Sequence, residues 1–234
     1  MIPRAILSLC RVCGKEEFEH HDVLWDELIS AWGLTNEEVR YINVQQGTCC
    51  TGCGSNVRSI ALAAGILRYV QSSATLADWV KGKDAASRKV LEVNEAGSLT
   101  SVLRQMPGHR IARYPECDMM ALSFPDSTFD LVVHSDTLEH VADPWQALRE
   151  CRRVLRRGGA CCFTVPIVIA RLTRTRKGLP ISRHGSLGCA DPSMVVHTEF
   201  GADVWCRVLE AGFRDCQLVA YGYPAGIAVI ATAP

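Results

Sequence analysis

The spacing of hydrophobic positions changes character along the chain. Between His21 and Trp32 the apolar residues Leu24, Trp25, Leu28, Ile29 and Trp32 recur at helical spacing and predict an amphipathic helix that Gly33 ends. Thr35 followed by Glu38 has capping-box spacing and opens a second helix through Ile42. A third follows Ser55, placed to cap it, with Val57, Ile60, Ala61, Ala64, Ile66 and Leu67 along one face. Gln71 to Ala86, with Ser72-Ser73 and Lys81-Gly82-Lys83, reads as a connecting helix and hinge.

From Arg88 short apolar runs alternate with helical stretches. Strands are predicted at 89–93, 110–114, 131–136, 160–166, 215–220 and 227–232, with helices through Leu99–Met106, through Leu148–Leu155 and ending at Leu209–Gly212. Strands and helices in alternation predict an α/β fold with a doubly wound parallel sheet. The expected organisation is a small helical module over 1–72, a connecting helix and hinge over 73–87, and an α/β domain over 88–234.

Composition narrows this picture. A chain of 234 residues that is 48% hydrophobic and 21% charged is one globular domain, or one with a small appendage, and not a disordered chain. Its 25 basic and 25 acidic residues cancel, so no global field draws it to nucleic acid or to an anionic membrane. No apolar run approaches the ~18 residues of a membrane span, and Met1 to Cys10 is short for a secretory signal, so a cytoplasmic protein without a membrane partner is expected.

Twelve cysteines in such a chain are read as reduced thiols, some of them holding metal. Cys10 and Cys13 form one C-x-x-C followed by Gly14, and Cys50 and Cys53 form another followed by Gly54. Two such knuckles predict a closed, structural Zn²⁺ site, because zinc favours thiolates in a tetrahedron and the glycine permits the tight turn that aims both sulfurs at one ion. Cys49 beside Cys50, and His20 and His21, are competing donors. Residues 1–72 hold six basic and eight acidic side chains, so this module is not expected to read nucleic acid.

In open α/β sheets ligands lie at the carboxyl ends of the strands, which makes the loop at 92–98 the first candidate site. The run from Asp118 to Asp130, with Leu122, Phe124, Pro125, Asp126 and Phe129, is followed by Glu139-His140-Val141 and by Arg153-Val154-Leu155-Arg156-Arg157-Gly158-Gly159. Together these pieces resemble the core of class I S-adenosylmethionine (SAM) dependent methyltransferases, those of the type 11 kind. His197-Thr198-Glu199-Phe200-Gly201, the helix ending at Phe213 and the last two strands extend the likeness to roughly two-thirds of the chain. The paired-cysteine front end resembles zinc-binding segments fused to some members. The implied fold is a Rossmann-like class I methyltransferase sheet carrying a small helical zinc-binding module.

The resemblance implies SAM as cofactor and methyl transfer to a small-molecule oxygen or nitrogen, with an acidic, sugar or nucleotide-linked acceptor among the candidates. It implies cofactor contacts from Glu92, Asn94, Gly97, Tyr114, Asp118, Met119 and Ser135, with Asp118 facing the adenine amine. Asp136, His134, His184 and His197 are the candidate bases for an acceptor that must lose a proton. His140 is read as a packed or capping residue.

The chain departs from the family where Asn94 and Ala96 stand at glycine positions, where Glu95 adds a charge, and where Arg113 occupies the place of the acid that holds the ribose, with Glu116 as a substitute. These departures motivate the alternative of a catalytically inactive, zinc-scaffolded binding protein. Residues 167–197 are expected to form a substrate lid, hinged at Gly178, Pro180, Gly185 and Gly188, with a basic lining. Arg171, Arg174, Arg176, Lys177 and Arg183 there face the single acid Asp191.

Overall fold

The computed structural model describes residues 9–183 and 191–234. After a turn at Cys10–Gly14, β1 (Phe18–His20) pairs antiparallel with β2 (Thr48–Cys50), and between them lie α1 (Asp26–Trp32) and α2 (Asn36–Gly47). Gly33 ends α1 in the left-handed region at φ 57°, and Thr35 and Glu38 open α2 with the expected reciprocal capping box. Helix α1 starts later than its apolar stripe suggested. Asn43 accepts the amide protons of both Val23 and Leu24 at 2.9 Å, which holds that stretch outside the helix.

The third helix, α3 (Val57–Tyr69), is capped by Asn56 and not by Ser55; the Asn56 side chain accepts from the Ser59 amide at 2.9 Å. Two short helices, α4 (Leu76–Trp79) and α5 (Lys83–Ser87), fill the connecting segment. This segment is packed, because the amides of Leu76 and Ala77 donate to the carbonyls of Arg11 and Val12 and Leu76, Trp79, Val80 and Ala85 are buried.

Then come β3 (Val90–Val93), α6 (Leu99–Leu103), β4 (His109–Ala112), β5 (Phe129–Ser135), α7 (Pro144–Val154), β6 (Leu155–Thr164), β7 (Ile167–Val168), β8 (Arg174–Thr175), β9 (Thr198–Gly201), α8 (Val204–Glu210), β10 (Asp215–Tyr221) and β11 (Gly226–Thr232). The main sheet runs β10-β11-β6-β5-β3-β4, parallel from β6 to β4 and antiparallel at β11. Alternate strand residues serve opposite faces. Leu91, Val93, Val132 and Phe163 pack with Leu148, Val154 and Val208 of α7 and α8, whereas Val90, Leu131, Val133 and Cys162 pack with Ile60, Ile66 and Leu103 of α3 and α6.

The second of these clusters also contains Cys10, Val12 and Cys50. The cysteine-bearing front and the α/β sheet therefore share one core.

The segment expected to be a basic lid is anchored by its cations. Strands β7, β9 and β8 form a small sheet of their own. Arg171 donates to the carbonyls of Trp32 and Gly33 at 2.9 and 2.7 Å and to the Glu38 carboxylate at 2.9 Å. Arg174 and Arg176 both pair with Glu199, and Arg176 also stacks over Trp32 at 5.9 Å. The counter-charges lie outside the segment, on α2 and β9, where a local count of charges missed them. The basic lining expected at Arg174 and Arg176 is thus corrected to staples onto β9, while Arg171 fixes the segment to α1 and α2.

Replacing Arg171 by Ala should leave the Glu38 carboxylate, nearly inaccessible, without its charge partner, and so cost about 2–3 kcal/mol of stability. Urea unfolding of the two proteins measures this; equal midpoints would show the staple to be dispensable.

Candidate active site

A cavity of about 1260 Å³ opens over the carboxyl ends of β3, β4 and β5. Its floor on one side is the loop after β3, the segment after β4 and the turn after β5, which contribute Val93, Asn94, Glu95, Tyr114, Asp118, Met119, Ser135 and Asp136. Its other side is walled by α1 and α2, through Trp25, Leu28, Trp32, Leu34 and Ile42, and by Pro192, Met194 and His197.

Five of the seven residues expected to touch a cofactor line this cavity: Asn94, Tyr114, Asp118, Met119 and Ser135. Asn94 takes the left-handed conformation, φ 56°, that the family supplies with glycine, and its side chain accepts the Tyr114 amide proton at 3.0 Å. Asp118 caps the following turn by accepting from the Met120 amide at 2.8 Å. Ser135 shares a hydrogen bond with Thr164 at 2.7 Å.

Glu92 and Gly97 stand behind the loop instead. Glu92 is fully buried and accepts from the Ala96 amide at 2.8 Å, from Thr100 and from His109 at 2.7 Å. Burial alone would raise its carboxyl, but these hydrogen bonds outweigh it and hold the group below the usual carboxylate range. Gly97, at φ 59°, packs on α3, where an added Cβ would come within 3.3 Å of Ser59 Oγ. Both shape the loop.

The charge that Glu95 brings is drawn to the rim. It pairs with Arg113 at 2.9 Å and with Arg104 at 3.7 Å, so two departures from the family pattern neutralise each other.

The candidate bases separate clearly. His134 is wholly buried in β5, off the cavity, stacked on Phe163 with ring centroids 4.8 Å apart, and its nitrogens have no hydrogen-bond partner among the described residues. Burial pushes its pKa down to about 3, so it is a core residue and not a base. Asp136 and His197 both line the cavity, and His184 lies outside the described residues. Asp136 sits in the left-handed region at φ 44°, its Oδ2 paired with Arg58 and accepting from Gln46 at 3.0 Å. Its Oδ1 is buried and has no partner among the described residues. His140 also reaches the cavity and bonds the Val195 carbonyl at 3.0 Å; burial lowers its pKa.

Arg58 and Gln46 were not legible as site residues, since each is a lone polar residue on a helix or its end. Arg58 is the sole Lys or Arg among the described residues of the lining. The α1 stripe was visible as an apolar face, though not as a cavity wall.

The four cysteines converge. The Sγ atoms of Cys10, Cys13, Cys50 and Cys53 all lie within 4.8 Å of one another, with Cys10–Cys53 at 3.7 Å and Cys13–Cys50 at 3.6 Å. Thiolates about 2.3 Å from a tetrahedral ion stand about 3.8 Å apart, so the set fits one metal. Gly14 and Gly54, at φ 85° and 70°, close the two turns with equivalent hydrogen bonds, each 2.8 Å, back to Cys10 and Cys50. Cys49, His20 and His21 are not in the cluster. The knuckle also touches the loop region: Cys53 Sγ and Ser55 Oγ are hydrogen-bonded at 3.2 Å, and Ser55 Oγ bonds Ser98 Oγ at 2.8 Å beside Gly97.

A mostly parallel sheet in this order, with a cavity over its carboxyl ends and a turn after the first parallel strand fixed by a buried acid, is the Rossmann-like class I methyltransferase architecture. Residues 50–163 match the model of a family described as a methyltransferase domain. A probable S-adenosylmethionine-dependent methyltransferase of Mycolicibacterium smegmatis is 40% identical over 63 residues, 25% of this chain and 24% of that protein. A ubiquinone/menaquinone biosynthesis C-methyltransferase of Xanthomonas oryzae is 52% identical over 46 residues, 20% of this chain and 18% of its own. The chain thus spans a quarter or less of the length of these curated relatives. Among solved structures, a SAM-dependent methyltransferase from Aquifex aeolicus overlays with a TM-score of 0.41 at 16% identity, covering 63% of this chain and 82% of that one. No helix among the described residues is long and apolar enough to cross a membrane.

Because His134 is neutral when folded but has an ordinary pKa near 6.5 when unfolded, its contribution to stability is complete above pH 6.5 and is lost as pH falls towards about 3. Between those limits it should add a slope of about 1.4 kcal/mol per pH unit, which His134→Phe removes. Denaturant unfolding at pH 7, 5.5 and 4.5 reads the difference; parallel curves for both proteins would contradict the assignment.

Proposed function

We propose that the chain transfers a methyl group from SAM to an oxygen or nitrogen of a small molecule. The observation that carries this reading is the cavity, in which Asn94, Asp118, Met119 and Ser135 meet Asp136 and His197 at the carboxyl edge of the sheet. Asn94, Asp118, Met119 and Ser135 would hold SAM, which when bound would supply an electrophilic methyl group to the acceptor's lone pair and be released as S-adenosylhomocysteine. Alignment supplies most of the acceleration, so the protein's task is to hold donor and acceptor in line. Asp136, with Oδ2 held by Arg58 and Gln46 and Oδ1 without a partner among the described residues, orients the acceptor's hydrogen; His197, an exposed residue of the cavity lining, takes the released proton. Arg58, whose Nε has no partner among the described residues, would meet the cofactor's carboxylate.

Cys10, Cys13, Cys50 and Cys53 would hold a zinc ion that serves the fold, since four thiolates would leave no position for water or substrate. The contacts of Cys53 with Ser55 and of Ser55 with Ser98 would tie that site to the loop ahead of α6.

The alternative of a scaffold that has lost the cofactor is favoured by one feature, the engagement of Arg113 with Glu95 where the family resemblance leads one to expect a ribose-binding acid. Calorimetry separates the two readings. The zinc-loaded protein should bind SAM and S-adenosylhomocysteine, and Arg58→Ala should weaken SAM by roughly tenfold or more. No measurable binding of either ligand would remove the enzyme reading.

Metal analysis of the purified, unchelated protein should give one zinc per chain, and Cys13→Ser should lose it together with stability. A metal-free wild type of unchanged stability would end the zinc assignment.

A further inference from the structure

We infer that the acceptor half of the cavity takes a bulky apolar molecule without an anionic group, recognised by helix α1; the inference rests on the methyl-transfer reading above. The cavity, at about 1260 Å³, exceeds the roughly 300–1,000 Å³ of a site for a single drug-sized ligand, so an acceptor fits beside a cofactor. Opposite the loop after β3, its wall is formed by Trp25, Leu28, Trp32, Leu34, Ile42 and Met194. Asp26, Glu27 and Ser30 of the same helix face solvent. A small polar acceptor would leave this wall wet, whereas an apolar one removes its surface from water.

Charge excludes the opposite class. Of the five cations expected to line this space, Arg171 is engaged on Glu38 and Arg174 and Arg176 on Glu199, and neither Lys177 nor Arg183 is among the lining residues. The one Lys or Arg of the described lining, Arg58, is paired with Asp136 and is the group assigned to the cofactor's carboxylate, so it is not left for the acceptor. Asp118 and Asp191 line the same space, while Glu95 and Asp136 are already paired with Arg113 and Arg58. A phosphate or carboxylate entering here would lose its hydration and meet acids, with no unengaged cation among the described lining residues to compensate.

The experiment uses the full, metal-loaded chain saturated with S-adenosylhomocysteine and titrated at pH 7 with 2-naphthol and with 2-naphthyl phosphate, followed by calorimetry and tryptophan emission. The neutral probe should bind at least about tenfold more tightly than its phosphate ester. Leu28→Asp should weaken 2-naphthol by about tenfold or more while S-adenosylhomocysteine affinity stays within about twofold, and Leu28→Met should restore it. Trp25→Ala serves as a second variant should Leu28→Asp not fold. Equal or tighter binding of the phosphate ester, no binding of 2-naphthol, or full 2-naphthol affinity in a folded Leu28→Asp or Trp25→Ala protein overturns the inference. Failure of the cofactor reading shows separately, as absent S-adenosylhomocysteine binding; the two naphthyl probes are then ranked on the unliganded protein, where the same order is expected.

Discussion

Helix α3 lies directly on the sheet, and the placement of the site follows from that contact. The approach is close because small residues line it: a Cβ added at Gly65 would stand 3.2 Å from the Ala228 Cβ, and one added at Gly226 would stand 2.9 Å from Val57. Its buried face, with Ile60, Leu62, Ala63, Ile66 and Leu67, is continuous with Leu131, Val133 and Ile230 of the strands. The second cysteine knuckle ends just before α3, Asn56 caps it, and Arg58 and Ser59 sit in its first turn. Fixing one helix on the sheet therefore fixes the four-cysteine cluster, a cation in the cavity and the backing of the loop at Gly97 together.

The relation between the metal cluster and the cavity is structural. Cys53, Ser55 and Ser98 form a chain of contacts from the knuckle to the start of α6, while Arg58 crosses to Asp136 at the end of β5. Gln46, close before the second knuckle, reaches the same carboxylate. A front end that looks like a separate module in the sequence contributes two of the polar groups around Asp136.

The roof of the cavity is built by charges that do not face it. Arg171 joins the segment after β7 to the end of α1 and to the capping box of α2, and Trp32 donates to Ser182 at 2.6 Å. Each cation is placed against a buried or half-buried partner, which takes it out of the inventory of charges that a ligand meets. What remains towards the cavity is aromatic and aliphatic on one side and acidic on the other.

Much of this was determined by the sequence itself. The alternation of strands and helices, the capping box at Thr35 and Glu38, the two C-x-x-C-Gly turns and the run from Asp118 to Gly159 are local patterns, and local patterns follow from backbone geometry and side-chain period alone. The tertiary structure decided the rest. Only folding showed that His134 points into the core, that Glu92 holds the loop instead of lining the cavity, that Arg174 and Arg176 meet Glu199 across a small sheet, and that Arg58 and Gln46 converge on Asp136. Charge pairing and burial depend on residues distant in the chain, 78 positions apart for Arg58 and Asp136, and no window of sequence contains both partners.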